Sequence, residues 1–165
     1  IVRHEPPTTG FKQYYKLINT LLDTKYYGGN CNMDEALKFT MAFLKEFSIV
    51  IIVSDFIGLK NDWKHYIRLV GKKFDLIGIM IRDPRDKFLP DYDGQAILGD
   101  MYSDKQLVVN INSISSDYTR YAEAREREIK GVFIDSKSDF IELSTDKPFL
   151  KPVTDLLLKR AKRIR

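Results

Sequence analysis

The feature that most constrains the fold of this chain is a run of five consecutive β-branched residues, Ile49 to Val53, with a serine on either side. β-Branched residues favour strands, and an unbroken apolar run lacks the alternation of a strand with one wet face. Such a run is typical of a parallel strand that helices cover on both faces. Residues 48–54 are therefore predicted to form a buried strand in the middle of a parallel sheet.

Two other segments share this character. Residues 75–82 contain Leu-Ile-Gly-Ile-Met-Ile, and residues 140–143, Phe-Ile-Glu-Leu, are a shorter segment that is predicted to be a third buried strand. Gly78 lies within the first of them, where a missing side chain indicates the close approach of a helix. Apolar residues at helical spacing predict helices over residues 11–22, 32–47, 61–74, 116–130 and 148–163. The alternation of strands and helices predicts an α/β domain with a mainly parallel sheet.

The same spacing predicts which helix faces are buried. The third helix is predicted to bury Trp63, Tyr66, Ile67 and Val70, the fourth Tyr118, Tyr121, Ala122, Arg125 and Ile129, and the last Leu150, Val153 and Leu157. Outside this rhythm, residues 1–5 are predicted to be a short strand, and residues 95–98 and 106–111 to form a small β-hairpin.

The composition bounds the functions of the chain. Its 165 residues, 44% hydrophobic and 30% charged, suit one globular domain, and no apolar run reaches the roughly 18 residues needed to cross a bilayer. No signal peptide is expected at its start. A single cysteine, Cys31, and only two histidines argue against disulfides and zinc clusters and favour a reducing, cytoplasmic location. The net charge of +4 is interspersed with acidic residues, which argues against a nucleic-acid-binding face.

Polar clusters follow all three predicted strands. Ligands of open parallel α/β sheets bind beyond the carboxyl ends of the strands, so these clusters are expected to meet at one edge and to bind a partner. The predicted partner-binding residues are Ser54, Asp55, Arg82, Asp83, Arg85, Asp86, Thr145 and Asp146. Two simpler interpretations stay open. Thr145 and Asp146 suit the cap of the last helix, and residues 82–86 suit a solvated ion-pair cluster.

The sequence shows no arrangement that identifies an enzyme. No glycine-framed serine lies near either histidine, no glycine loop has phosphate-binding spacing, and no carboxylates are spaced as an acid–base pair. The chain is therefore predicted not to be an enzyme and to have no catalytic residues. Two alternatives stay open. One is an Mg²⁺-dependent hydrolase of phosphoryl substrates that uses Asp55, Asp83 and Asp86. The other is nucleic-acid binding through the basic residues 159–165, which otherwise suit the end of a helix.

Several segments, taken in order, resemble one protein family. Residues 49–56 are a strand that ends in Ser-Asp-Phe, residues 75–86 read Asp-Leu-Ile-Gly-Ile-Met-Ile-Arg-Asp-Pro-Arg-Asp, and Leu89-Pro90 follows. The charged helix at residues 121–127 precedes residues 141–148, Ile-Glu-Leu-Ser-Thr-Asp-Lys-Pro, which resemble the strand-to-helix turn of the family. As a set, these segments are similar to the DUF58 family, a branch of the von Willebrand factor A superfamily.

The resemblance implies a Rossmann-like, three-layer von Willebrand factor A-type sandwich with a metal-ion-dependent adhesion site at the carboxyl edge of its sheet. In the superfamily this site takes an Asp-x-Ser-x-Ser run, a threonine and a later aspartate, and such oxygen ligands suit Mg²⁺. Here Asp55 matches the aspartate, and Asn30 stands in place of the threonine. The metal site is therefore expected to be weak and incomplete. No tightly bound cofactor is predicted, and Mg²⁺ is expected only in a longer parent chain.

The resemblance also implies that residues 1–165 are a single, N-terminally truncated domain. The opening residues resemble an edge strand of the family, so the first strand and its Asp-x-Ser-x-Ser run are expected to be absent. The strand at residues 48–54 would then present an unpaired apolar edge, which is a template for self-association. Family members are often found with MoxR-type AAA+ ATPases, and this implies a protein partner of that type and an adaptor or chaperone role. The lack of a long apolar run predicts no membrane segment in this part of the chain.

Overall fold

The computed structural model describes residues 1–6, 8–28, 31–59, 62–99 and 105–163. These residues form five α-helices, five β-strands and two short 3₁₀ turns. The helices are α1 (Phe11–Leu22), α2 (Met33–Phe43), α3 (Trp63–Lys73), α4 (Ile111–Asp135) and α5 (Leu150–Arg163). The strands are β1 (Ile49–Ser54), β2 (Asp75–Arg82), β3 (Gln95–Gly99), β4 (Gln106–Asn110) and β5 (Asp139–Ser144). The 3₁₀ turns are Thr24–Tyr26 and Pro84–Asp86.

Strands β1, β2 and β5 form a parallel sheet in the order β1-β2-β5. Strands β3 and β4 pair antiparallel as a separate hairpin, as the sequence predicts, although the residues that join them lie outside the described part of the chain. The mixed α/β architecture with a mainly parallel sheet is therefore confirmed. None of the helices in the described residues combines the length and the apolar character needed to cross a membrane.

The core lies between one face of the sheet and helices α2, α3 and α4. Its buried residues are Leu37, Val50, Phe56, Trp63, Ile67, Val70, Phe74, Leu76, Met80, Ile129, Val132 and Phe133. The predicted inner stripe of α3 is confirmed, because its Trp63, Ile67 and Val70 are buried and Tyr66 packs against them. Alternate residues of β2 face these helices, as the twofold period of a strand requires.

Gly78 is a point of close approach between α4 and the sheet. A Cβ atom added there would lie 2.6 Å from Cε1 of Phe133 in α4 and 2.8 Å from Cδ2 of Phe140 in β5. The two phenylalanine rings are 5.0 Å apart, and Phe56 packs edge-to-face on Phe133 at 5.7 Å. The close packing predicted from the glycine is therefore confirmed.

The other face of β1 is exposed, and β1 is the end strand of the described sheet, so the prediction of a strand in the middle of the sheet and covered on both faces is wrong. Ile49, Ile51 and Val53 are 63%, 53% and 59% exposed. Helix α5 packs on the far side of the sheet at β5, where Ile77 and Leu156 are buried. Helix α1 has the apolar spacing to cover such a face but has no buried residue. The β-branched run predicts the strand correctly but not the number of its covered faces.

Several predicted boundaries also differ from the structure. Residues 1–5 form no strand. Helix α2 ends at Phe43 rather than at residue 47, because the backbone turns to an extended conformation directly after it. Helix α4 begins at Ile111, earlier than predicted, because the side chain of Asn110 caps its first turn.

The inner face of α5 is rotated relative to the predicted face. Leu156 is buried, whereas Leu150 and Leu157 are 71% and 54% exposed. Arg160 lies one turn after Leu156 and forms ion pairs with two aspartates at the amino end of the sheet. Apolar spacing alone could not select this rotation, because it does not count an arginine as an inner residue.

Candidate functional site

The parallel strands bring the predicted polar clusters to one edge of the sheet. The ladder between β2 and β5 places Arg82 opposite Ser144, and β1 runs parallel beside β2. Asp55, Asp83 and Asp146 follow these strand ends and so lie along the same carboxyl edge. The structure thus confirms where these residues gather, while their role in binding a partner stays a prediction.

Asp83 is the centre of a hydrogen-bonded turn at this edge. Its Oδ1 accepts the Arg85 N–H at 2.9 Å, and its Oδ2 accepts the Thr145 hydroxyl at 3.2 Å. In return, Asp86 Oδ2 accepts the Asp83 N–H at 3.0 Å, which completes a capping box on the 3₁₀ turn. The bond from the Arg85 N–H, helped by Thr145, holds the pKa of Asp83 below its usual range. These residues form an ordered turn that also contains one exposed ion pair, between Arg85 and Asp83.

The turn after β5 is tied to β2. The Thr145 N–H donates to the carbonyl oxygen of Arg82 at 3.0 Å, and the Ser144 hydroxyl donates to the Asp146 carboxylate. Helix α5 begins only at Leu150, so Thr145 and Asp146 do not cap it and that interpretation is wrong. Both residues instead shape the rim next to Asp83.

Ser54 and Asp55 organise the loop after β1. The Ser54 hydroxyl oxygen accepts the Phe56 N–H at 3.0 Å, and Asp55 Oδ1 accepts the Ile57 N–H at 2.9 Å. Burial raises the pKa of the Cys31 thiol, and the negative charge of Asp55 raises it further. The segment before α2 therefore lies close to Asp55.

Asp55 is a predicted metal ligand, whereas its predicted companion Asn30 lies outside the described residues. Within those residues, no group of three or more histidine, cysteine, aspartate or glutamate side chains could hold a metal ion. Asp55 offers a carboxylate and Ser54 a hydroxyl, and these are fewer oxygens than Mg²⁺ requires. The donors that are described do not fit a metal centre by themselves, and no chemistry through a metal follows from them.

Arg82 has an environment that neither sequence interpretation predicted. Arg82 is the last residue of β2 and lies on the same face of the strand as Gly78 and Met80. Its side chain therefore points into the protein, and the residue is only 9% exposed. Its Nε and Nη2 atoms are closed to solvent and have no hydrogen-bond partner among the described residues. The twofold period of β2 is the signal that could have shown this burial from the sequence.

Two cavities open at this edge. One of about 440 Å³ lies between the ends of β2 and β5 and the segment before α5. The other, of about 160 Å³, lies between Arg82, the loop at residues 56–58 and helix α4. The α4 wall of this smaller cavity is formed by Tyr118, Tyr121, Ala122 and Arg125.

The two tyrosines of this wall were predicted to be core residues. Tyr121 is 73% exposed, and Tyr118 is partly buried and donates its hydroxyl to the carbonyl oxygen of Arg85 at 3.1 Å. Burial, together with the nearby Asp86 carboxylate, raises the pKa of Tyr118. The predicted burial of Tyr121 is therefore wrong. Helical spacing places a residue on one side of its helix, but the tertiary structure decides whether neighbouring elements fill the space there or leave a cavity.

Arg125 is the second arginine of the smaller cavity, and it has an acidic partner. Its Nη1 pairs with Glu128, and its guanidinium carbon lies 5.3 Å from the centre of the Trp63 ring. Lys64 also pairs with Glu128, and this contact lowers the pKa of that carboxyl. Arg82 has no such acidic partner among the described residues.

Comparison with curated proteins gives relatives without an assigned function. Uncharacterized protein Rv1480 of Mycobacterium tuberculosis and uncharacterized protein Mb1516 of Mycobacterium bovis are each 26% identical over 113 residues, which cover 68% of this chain and 35% of the relative. Uncharacterized protein MAV169 of Mycobacterium avium is 23% identical over 113 residues, which cover 68% of this chain and 66% of the relative. The chain thus spans about a third of the length of the first two relatives. No solved structure matches.

The profile of the family described as "Protein of unknown function DUF58" matches residues 1–128. The matched region contains β1, β2, the capping box at residues 83–86 and the α4 wall of the smaller cavity. It therefore includes most of the polar edge described above, and it agrees with the resemblance of the segments up to residue 127, whereas residues 141–148 lie beyond the match. The chain belongs to the DUF58 family of proteins of unknown function.

Proposed function

We propose that this chain is a protein-interaction module that binds a partner at the carboxyl edge of its parallel sheet. The observation that carries this proposal is a polar rim bordered by exposed aromatic side chains. Tyr121 borders the smaller cavity, and Phe88 and Phe149 border the larger one, with exposures of 73%, 52% and 65%. Exposed aromatic residues next to a polar rim are typical of protein interfaces.

The hydrogen bonds at this edge favour recognition over catalysis. Asp55, Asp83 and Asp86, which the hydrolase alternative requires, each accept a backbone N–H that defines a loop. Within the described residues, these carboxylates also do not belong to any group of three or more acidic, histidine or cysteine side chains that could hold a metal ion. We therefore propose a binding module and not an enzyme.

The basic last helix likewise supports a structural role over nucleic-acid binding. Arg160 pairs with Asp75 and Asp139, and Arg163 pairs with Asp139 as well. These arginines neutralise acidic residues of the sheet, so fewer positive charges remain for a phosphate backbone.

The finer parts of the proposal come from the family resemblance. They are a von Willebrand factor A-type sandwich, a cytoplasmic location, Mg²⁺ at the edge in a longer parent chain, and a MoxR-type AAA+ ATPase as the protein partner. The parallel order β1-β2-β5, with the acidic residues at its carboxyl edge, is compatible with such a fold. Because the chain spans only part of its relatives, the role of the whole protein as an adaptor or chaperone belongs to the proposal as well.

A charge-reversal experiment tests the proposed edge. Binding to a purified MoxR-type AAA+ ATPase from the same organism would be measured by biolayer interferometry for the wild type, Arg85→Glu and Lys72→Glu. Arg85 has an 86% exposed side chain at the carboxyl edge, and Lys72 is exposed in the last turn of α3, next to the amino end of β2. We expect Arg85→Glu to weaken binding by about tenfold or more and Lys72→Glu to leave it unchanged. Absence of binding by the wild type, or equal loss in both variants, would contradict the proposal.

A further inference from the structure

Arg82 carries a buried positive charge that lacks an acceptor. Its side chain is 9% exposed, and its Nε and Nη2 atoms are inaccessible to water, with no hydrogen-bond partner among the described residues. An ionised group in such a position is strongly unfavourable unless something pairs with it. Because Arg82 borders a cavity, a bound group is able to supply the missing acceptor.

The neighbouring acidic groups are already used. Glu128 pairs with both Lys64 and Arg125, and Asp86 accepts the Asp83 N–H in the capping box. Arg82, Arg125 and Lys64 thus carry three positive charges against the two negative charges of Glu128 and Asp86, and among the described residues neither carboxylate forms an ion pair with Arg82. A singly charged anion would balance this excess.

The two free atoms of Arg82 define the geometry of the missing acceptor. The Nε–H and one Nη2–H point the same way from one edge of the planar guanidinium, and this edge matches the two oxygens of a carboxylate. No bond from either atom holds the side chain in its present position, so a turn of the guanidinium towards the cavity breaks none. The cavity of about 160 Å³ has the volume of roughly five liquid waters, which accommodates a carboxylate with its methylene groups but not a nucleotide.

We propose that Arg82 binds the carboxylate of an aspartate or glutamate side chain that a protein partner inserts into this cavity. The inference rests on the proposed function and names the chemistry of the partner. A protein source is favoured because Tyr121 stands 73% exposed at the cavity, as an aromatic contact for the surface around the inserted side chain. A phosphate would bring a second negative charge close to Asp86, which the excess of one positive charge does not balance.

Side-chain NMR of the whole chain tests the ligand. The probe is a glutamate blocked at both termini, the matched control is the blocked glutamine, and inorganic phosphate is the third ligand, all at constant ionic strength. Blocked glutamate is expected to shift the Arg82 Nε–H resonance saturably, and blocked glutamine is expected to leave it in place. Phosphate is expected to bind about tenfold more weakly than blocked glutamate or worse.

Substitutions separate a binding role from a structural one. Arg82→Met removes an unpaired buried charge, so it is expected to abolish the binding of blocked glutamate and to raise the urea midpoint of unfolding. Arg82→Lys keeps the charge without the two-pronged edge and is expected to bind more weakly than the wild type. Arg127→Met is the matched control. Arg127 lies in α4, the helix that lines the cavity, but its side chain is 69% exposed, so the substitution is expected to change neither the binding of blocked glutamate nor the urea midpoint.

Any one of three results with the small ligands or in urea would overturn the inference: an Arg82 resonance that blocked glutamate does not move, tighter binding of phosphate, or a lower urea midpoint for Arg82→Met. The proposed function fails separately. If the AAA+ ATPase does not bind while blocked glutamate still binds Arg82, the inference stands without that partner. If the ATPase binds the wild type and Arg82→Met equally well, the interaction module stands and the role of Arg82 is wrong.

Discussion

At Gly78, the absence of one methyl group allows helix α4 to pack directly on the sheet. The Phe133 ring occupies the space where a Cβ would be, with Phe140 beside it. The effect of a substitution at a glycine therefore depends on its neighbours, and Gly131 in α4 provides the contrast. A Cβ added at Gly131 would meet no atom within 4 Å.

Gly78→Ala is expected to destabilise the fold by about 1 to 3 kcal/mol, because the new methyl group overpacks the phenylalanine cluster. The matched control Gly131→Ala is expected to stabilise it by about 0.5 to 1 kcal/mol, because alanine is the better helix former in an open position. Urea unfolding followed by circular dichroism measures both. Equal effects of the two substitutions would show that α4 does not rest on Gly78.

Strand β1 is an element with a free edge in the described part of the chain. It pairs with β2 on one side only, and Ile49–Ser54 contains no proline or charge that would block pairing with another chain. Its outer face is exposed as well, and α1 has several exposed apolar residues of its own. We therefore propose that the chain self-associates along the β1 edge.

A lysine in β1 is expected to prevent this association. Ile51 is 53% exposed, so Ile51→Lys removes little packing while it introduces a charge at the edge strand. Ile97→Lys is the matched control, because Ile97 is a 65% exposed residue of the separate hairpin strand β3. Sedimentation velocity should show assemblies for the wild type and Ile97→Lys, and monomers for Ile51→Lys. A monomeric wild type, or loss of assembly only in Ile97→Lys, would refute the use of the β1 edge.

Across the whole molecule, the two ends of the sheet have different tasks. At the amino end, Arg160 of α5 joins Asp75 and Asp139, the first residues of β2 and β5, and so connects three elements that are far apart in the sequence. At the carboxyl end, the polar groups form turns and cavities that are open to solvent. Stability is expected to depend on the first end, and recognition on the second.

Arg160→Met is expected to lower the free energy of unfolding by about 2 kcal/mol, because the carboxylate of Asp139, whose side chain is 13% exposed, loses a close partner. Arg163→Met is the matched control. Arg163 pairs with the same aspartate but is 55% exposed, so its loss is expected to cost less than about 1 kcal/mol. Guanidinium unfolding of the two variants and the wild type measures the difference. A larger effect of Arg163→Met would contradict this view of the amino end.

Local patterns in the sequence determined the elements and the edge on which the polar residues meet. The β-branched run predicts β1, helical spacing predicts α1 with its observed bounds, and the strand–helix alternation predicts a parallel sheet with Asp55, Asp83 and Asp146 at one edge. These features depend on the period of a helix or a strand and on chain direction, which neighbouring residues already encode.

Only the tertiary structure decided which faces are covered and which charges are paired. The exposed face of β1, the rotation of α5 and the buried, unpaired Arg82 all depend on residues that are distant in the sequence. A strand has the same local pattern whether or not a helix lies over it, and an arginine looks the same in the sequence whether its partner is water, Asp139 or a ligand. Burial and charge compensation are properties of contacts between elements, and the folded arrangement alone sets those contacts.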